Sequence, residues 1–137
     1  KKEMFKTSGG KYIAPQVIEN KLKESIFIEQ CMVVGNSQKF AAALLVPNFD
    51  ALKEWANHKQ IPYTTDAKMV KEKVVMEKLQ REVDEVNSHF AQWEKIKNFT
   101  LLPMLWTVEA GELTAKLSLK RKIIAQHYAT EIENLFK

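Results

Sequence analysis

Short apolar pieces, Met4-Phe5 and Tyr12-Ile13, stand on either side of a Gly-Gly loop and predict a small β-hairpin. Pro15 then opens a helix reaching towards Ser25, with Val17, Ile18 and Leu22 on its inner face. Proline suits a first helical turn, where its missing N–H would have had no partner. "SIFIEQCMVVG" (25–35) and "KFAAALLVP" (39–47) flank the turn "GNSQ", and their β-branched and apolar residues predict two mostly buried strands. Asn48 is placed to cap a helix carrying Leu52, Trp55 and Ala56. "HKQIPYTTD" breaks that pattern at Pro62, and Thr65 or Asp66 is placed to cap the next helix. Between Val70 and Phe90 the residues Val74, Leu79, Val83, Val86 and Phe90 recur at helical spacing among charged positions. "EKIKNFTLLP" predicts another strand, "TVEAGELT" a turn, and 118–136 a second long helix with Leu119, Ile123, Ile132 and Leu135 facing inward. Strand and helix are interleaved, so the expected fold is one α+β domain over 1–137: an N-terminal β-hairpin, a short β-sheet and packed amphipathic helices.

Composition narrows the class. At 137 residues and 45% apolar content the chain has enough for one real core, and four Gly and four Pro exclude a low-complexity character. No apolar run approaches the roughly 18 to 20 residues that cross a bilayer. Lys and Arg exceed Asp and Glu by 21 to 17, a net charge of +4, which favours anionic partners without choosing among them. The single cysteine, Cys31, has no intramolecular disulfide partner; within "CMVV" it reads as a small buried hydrophobe, in keeping with a reducing cytosol. "KKEMFK" offers neither a signal-peptide core nor a start methionine, so the chain reads as a piece of something longer.

Candidate chemistry is sparse. His58, His89 and His127 lie on or beside different helical segments without metal-ligand spacing, and no metal is expected. "TSGGK" lacks the G-x-S-x-G elbow of a serine hydrolase, and Lys11 is followed by Tyr12, outside the G-x-x-x-x-G-K-[ST] phosphate loop. Gly9-Gly10-Lys11 is either an ordinary hairpin turn or a place where backbone N–H groups and a cation meet an anion. In "GELTAKLSLKRK" (111–122), Lys116, Lys120, Arg121 and Lys122 gather around the start of the last helix. There they oppose the helix dipole, so they are either a solvated basic face or functional. A competing reading makes the chain a small basic module for nucleic acid or an anionic membrane surface. That would need aromatics interleaved with the lysines, whereas Trp55, Trp93, Trp106 and Phe90 are dispersed and read as core. A structural or interaction domain ranks last, because a chain this short needs its amphipathic faces for itself.

"KKEMFKTSGGKYIAPQVIEN" resembles the opening of the small C-terminal domain of AMP-forming acyl-CoA synthetases, the long-chain fatty-acid–CoA ligases in particular. "GELTAKLSLKRKII" resembles that domain's closing L-T-P-T-x-K-x-K-R-like run, and "CMVVGNSQKFAAALLVPNFDALKEWA" the strands and helix between. The resemblance implies a domain that swings between an adenylating and a thioester-forming orientation, inert alone and partnered by an N-terminal domain of the same chain. It implies ATP, coenzyme A and Mg²⁺ in the full-length enzyme, with Mg²⁺ held outside this domain and none of them tightly bound here. Fatty acid and coenzyme A would be the substrates and nucleic acid no partner, in a cytoplasmic setting that allows peripheral contact with a membrane. Lys2 falls on the hinge, Lys6 on a lysine facing the active site in the thioester step, and Thr7, Ser8, Gly9, Gly10 and Lys11 on the coenzyme A loop. Pro15 and Glu19 match P-x-x-I-E, Glu19 reading as helix-positioning. The lysine used in adenylation aligns with Ser118, a departure that leaves Lys116 or Lys120 to supply the charge.

Overall fold

The structure, a computed structural model, describes residues 3–137; Lys2, the residue expected at the hinge, lies outside them. Strands β1 (Phe5–Lys6) and β2 (Tyr12–Ile13) pair antiparallel, Phe5 opposite Ile13 and Lys6 opposite Tyr12, as the apolar pieces beside the Gly-Gly loop predict. Helix α1 (Pro15–Leu22) follows with its proline in the first turn. Its inner face is Pro15, Ile18, Glu19 and Leu22. Val17, expected inside, is exposed, because the buried stripe is phased on Glu19.

The predicted pair of strands becomes β3 (Ile28–Val34) and β4 (Ala41–Pro47), antiparallel around the turn at 35–40. Every residue of β4 is buried. Such a run belongs to a strand covered on both faces, and the side chains divide accordingly. Ala41, Ala43 and Leu45 join Cys31, Val33, Phe99 and Leu101 in one core, whereas Ala42, Leu44 and Val46 join Met32, Trp106, Ile124 and Leu135 in another. Period two along one strand therefore builds two cores.

Helix α2 (Phe49–His58) begins where expected: the Asn48 side-chain oxygen accepts the Ala51 N–H at 3.2 Å, and Leu52 and Ala56 are buried. Thr65 caps the single turn α3 (Asp66–Met69), accepting the Lys68 N–H. Helix α4 (Lys73–Asn87) is the longest, and its inner stripe is Val75, Leu79, Val83 and Val86. Val75 is fully buried while Val74, the expected core residue, is 36% exposed. After a 3₁₀ turn (Gln92–Glu94) comes β5 (Ile96–Leu101), which pairs parallel with β4 and gives the sheet order β3-β4-β5.

The last expected helix is corrected in two ways. It starts at Arg121 rather than 118, and it breaks at Tyr128 into α5 (Arg121–His127) and α6 (Ala129–Leu135). Ile124 and Leu135 are its buried anchors, Ile123 and Ile132 being only half-buried. With α1 and α4 supplying the first core and α5 and α6 the second, the three-stranded sheet is the middle layer of an α+β domain. Among the described residues, no helix is long and apolar enough to cross a membrane.

Candidate functional site

The loop between β1 and β2 is tied at its base and open at its tip. Thr7 is buried, its N–H donating to the Lys11 carbonyl at 2.9 Å and its Oγ1 accepting the Lys11 N–H at 3.2 Å. The Gly10 N–H donates to the Thr7 carbonyl at 2.9 Å, and Gly10 sits at φ +86°, where a side chain would be strained. No atom lies within 4 Å of a Cβ built on Gly10, so the loop's glycine serves conformation and leaves open space. Ser8, Gly9, Gly10 and Lys11 are exposed.

Two backbone bonds fasten this hairpin to the β3–β4 turn, Ser8 N–H to Gln38 carbonyl and Ser37 N–H to Lys6 carbonyl, both 2.9 Å, and the Asn36 Oδ1 accepts the Lys6 N–H at 3.4 Å. Gly35 lets them form. A Cβ there would stand 2.9 Å from the Phe40 carbonyl oxygen and 3.1 Å from the Phe5 ring. Lys6 and Lys11, both exposed, lie over aromatic rings, Lys6 Nζ 5.6 Å from the Tyr12 centroid and Lys11 Nζ 4.7 Å from that of Trp93. Trp93 is 46% exposed, against the expectation that it is core.

Glu19 is 4% exposed, and its burial is compensated at each oxygen. Oε2 accepts the Val33 N–H and Arg121 Nη1, each at 2.7 Å, and Oε1 accepts Arg121 Nη2 at 2.6 Å. Arg121 Nε reaches Glu3 Oε1 at 2.6 Å. A cation in the first turn of α5 works against that helix's dipole, and two carboxylates offset it here. Burial pulls the guanidinium's pKa down, yet the hydrogen bonds and charges of Glu19 and Glu3 carry it above its ordinary value. Cys31 donates its thiol to the Glu19 carbonyl at 3.5 Å; burial, then the Glu19 charge, pushes that thiol far up, leaving a poor nucleophile.

Between α1, β3 and residues 113–121 lies a cleft of about 410 Å³ lined by Glu19, Lys23, Gln30, Ser118 and Arg121 among others. Ser118 belongs to a tight turn rather than a helix. Leu113 bridges Leu119, Thr114 N–H donates to the Ser118 carbonyl at 2.9 Å, and Thr114 Oγ1 accepts the Ser118 N–H at 3.1 Å. Leu117, at φ +65°, occupies the left-handed position that closes this turn, and its side chain is 68% exposed. Lys116 is exposed near the tip. Ser118 and Lys120 flank the bridged Leu119, and both are exposed; Ser118 lines the cleft and Lys120 does not. The fold thus brings Glu19 and Ser118 to one cleft, while Lys6 and the 7–11 loop do not line it.

Arg121 was visible in sequence only as one of four clustered cations, and Glu3 carried no signal. His127 has a partner that spacing hides: the buried Glu112, whose Oε2 lies 2.8 Å from Nδ1. Among the described residues, no group of three or more His, Cys, Asp or Glu is arranged to hold a metal ion.

The sequence profile described as "AMP-binding enzyme C-terminal domain" matches residues 3–137. The chain belongs to this family of C-terminal domains. Members with similar sequences include the long-chain-fatty-acid–CoA ligase FadD15 of Mycobacterium tuberculosis, 34% identical over 99% of this chain and 23% of that protein. Another is the human long-chain-fatty-acid–CoA ligase 1, 30% identical over 99% of this chain and 20% of that protein. The chain therefore spans about a fifth to a quarter of these relatives. Among solved structures, the adenylation domain of a carboxylate reductase from Mycobacterium chelonae has the same fold, with TM-score 0.77 and 23% identity over 97% of this chain and 19% of that one. The family's C-terminal domain thus accounts for the whole described α+β fold.

Proposed function

We propose that residues 1–137 are the mobile C-terminal domain of an AMP-forming ligase that joins a long-chain fatty acid to coenzyme A. The observation that carries this reading is the likeness to long-chain-fatty-acid–CoA ligases along nearly the whole chain. In the first step a carboxylate oxygen attacks the α-phosphorus of ATP and the bond to pyrophosphate breaks. In the second the coenzyme thiolate attacks the acyl carbonyl carbon and the bond to AMP breaks. Alone, the domain is inert, because the charges that stabilise both transition states converge from two domains.

The 7–11 loop is the part that meets coenzyme A, and its geometry supports that role. Its base is bonded to the β3–β4 turn, and open space surrounds Gly10, so a thin thiol arm finds close backbone approach. Lys6, beside the loop, faces the reacting groups in the thioester step. Lys2, as the hinge, lies outside the described residues. Glu19 positions α1 through Arg121 and Val33. Ser118 stands where the adenylation lysine is expected, and a serine supplies no positive charge to the carboxylate's attack. Lys116, exposed at the turn, or Lys120, exposed just before α5, is left to supply it, and Lys120 is the one assigned. Magnesium is a partner of ATP in the full-length enzyme and is held outside this domain.

In the full-length enzyme, Lys120→Ala slows acyl-adenylate formation more than thioester formation when the two half-reactions are timed separately. Equal slowing of both refutes the assignment of Lys120.

A further inference from the structure

Both lysines at the loop's shoulders are held by aromatic rings. Lys6 lies over Tyr12 and Lys11 over Trp93, and among the described residues neither enters an ion pair, whereas Lys21 pairs with Glu24. The difference matters chemically. A carboxylate partner orients an ammonium but cancels its charge, so an incoming anion must displace it. An aromatic face orients the ammonium through its quadrupole and leaves the full charge available.

The backbone that carries Trp93 is braced. It lies in the 3₁₀ turn Gln92–Glu94, closed by Glu94 N–H to the Ala91 carbonyl and by Ala91 N–H to Glu94 Oε1, both 2.9 Å. The turn leaves half an indole in solvent beside the loop, where burial gains little and presenting a ring to Lys11 is what the position does.

We propose that Trp93 is a positioning residue for coenzyme A, holding the Lys11 ammonium where a phosphate of the coenzyme's nucleotide end arrives. The inference rests on the reading of 7–11 as the coenzyme loop. The pantetheine arm is uncharged and the coenzyme's negative charge resides in its phosphates, so Lys11 acts on the nucleotide end, not on the thiol.

The test uses the full-length enzyme and preformed acyl-adenylate, with coenzyme A and with pantetheine, which lacks the nucleotide, as acceptors. Trp93→Leu raises KM for coenzyme A about two- to five-fold, the range of a cation–π contact. It leaves kcat, the KM for pantetheine and the rate of adenylate formation unchanged, and Trp93→Phe, which keeps a ring, restores most of the loss. Added salt shrinks the difference between native enzyme and Trp93→Leu. A rise in KM for both acceptors, or no rescue by Phe, makes Trp93 merely structural and overturns the inference. No effect of Trp93→Leu beside a raised KM in Lys11→Ala overturns it too, but leaves the loop reading intact. If Lys11→Ala and Gly10→Val both leave the thioester step unchanged, the loop reading itself falls.

Discussion

Arg121 closes on Glu19 through two parallel bonds, Nη1 to Oε2 at 2.7 Å and Nη2 to Oε1 at 2.6 Å, across 102 residues of sequence. The same carboxylate accepts the Val33 N–H, so one buried side chain joins α1, β3 and the start of α5. Removing the arginine strands a charge that is only 5% exposed at its side chain. Arg121→Leu is expected to cost about 3 kcal/mol, the lower end for a broken buried pair because Arg121 itself is partly solvated. Arg121→Lys, which keeps the charge and loses the fork, costs less. Urea unfolding of both variants checks the order.

Leu117 pays a backbone cost without packing in return. At φ +65° a residue with a Cβ is strained by about 1 to 2 kcal/mol, and the exposed side chain recovers little of it by burial. Leu117→Gly is expected to raise stability by about 1 kcal/mol, seen as a higher Tm. Leu117→Ala, which keeps the Cβ, leaves Tm nearly unchanged. A lowered Tm in the glycine variant would mean that the leucine makes contacts the turn needs.

Tyr63, like Cys31 and Tyr128, ties the fold's stability to alkaline pH. Burial first, and the hydrogen bond to Asp66 second, push its phenol well above the ordinary range, while in the unfolded chain it ionises near 10. The folded form therefore holds the proton longer. Its contribution is fully present below about pH 10 and is lost as pH rises towards the folded-state value. Tyr63→Phe flattens the fall in stability above about pH 10 in denaturation curves taken across that range. An unchanged slope would place the alkaline limit elsewhere.

Local periodicity located the hairpin, β3, β4, β5, the Asn48 cap and the body of α4, because each depends on neighbours in the chain. Phase was harder. Val17 and Glu19 compete for the inside of α1, and apolarity favours Val17 until Arg121, far along the chain, is known to neutralise Glu19. Val74 and Val75 are chemically identical, and it is the four-residue step from Val75 to Leu79, against five from Val74, that puts Val75 on the buried face. At 118 the helical pattern misled because Thr114 captures the Ser118 N–H and Leu117 turns left-handed, a local event with no apolar signature. Trp93, dispersed like Trp55 and Trp106, has nothing in its sequence neighbourhood to set it apart from the core aromatics. Its role emerges only when the fold sets it over Lys11.

The bonds from Ser8 to Gln38 and from Ser37 to Lys6 make the glycine loop part of the sheet's own framework. Much of the loop's conformational entropy has therefore been surrendered when the domain folds, rather than when a ligand arrives. A molecule settling against Gly9 and Gly10 meets a preorganised surface, and its affinity need not be spent on ordering the segment that receives it.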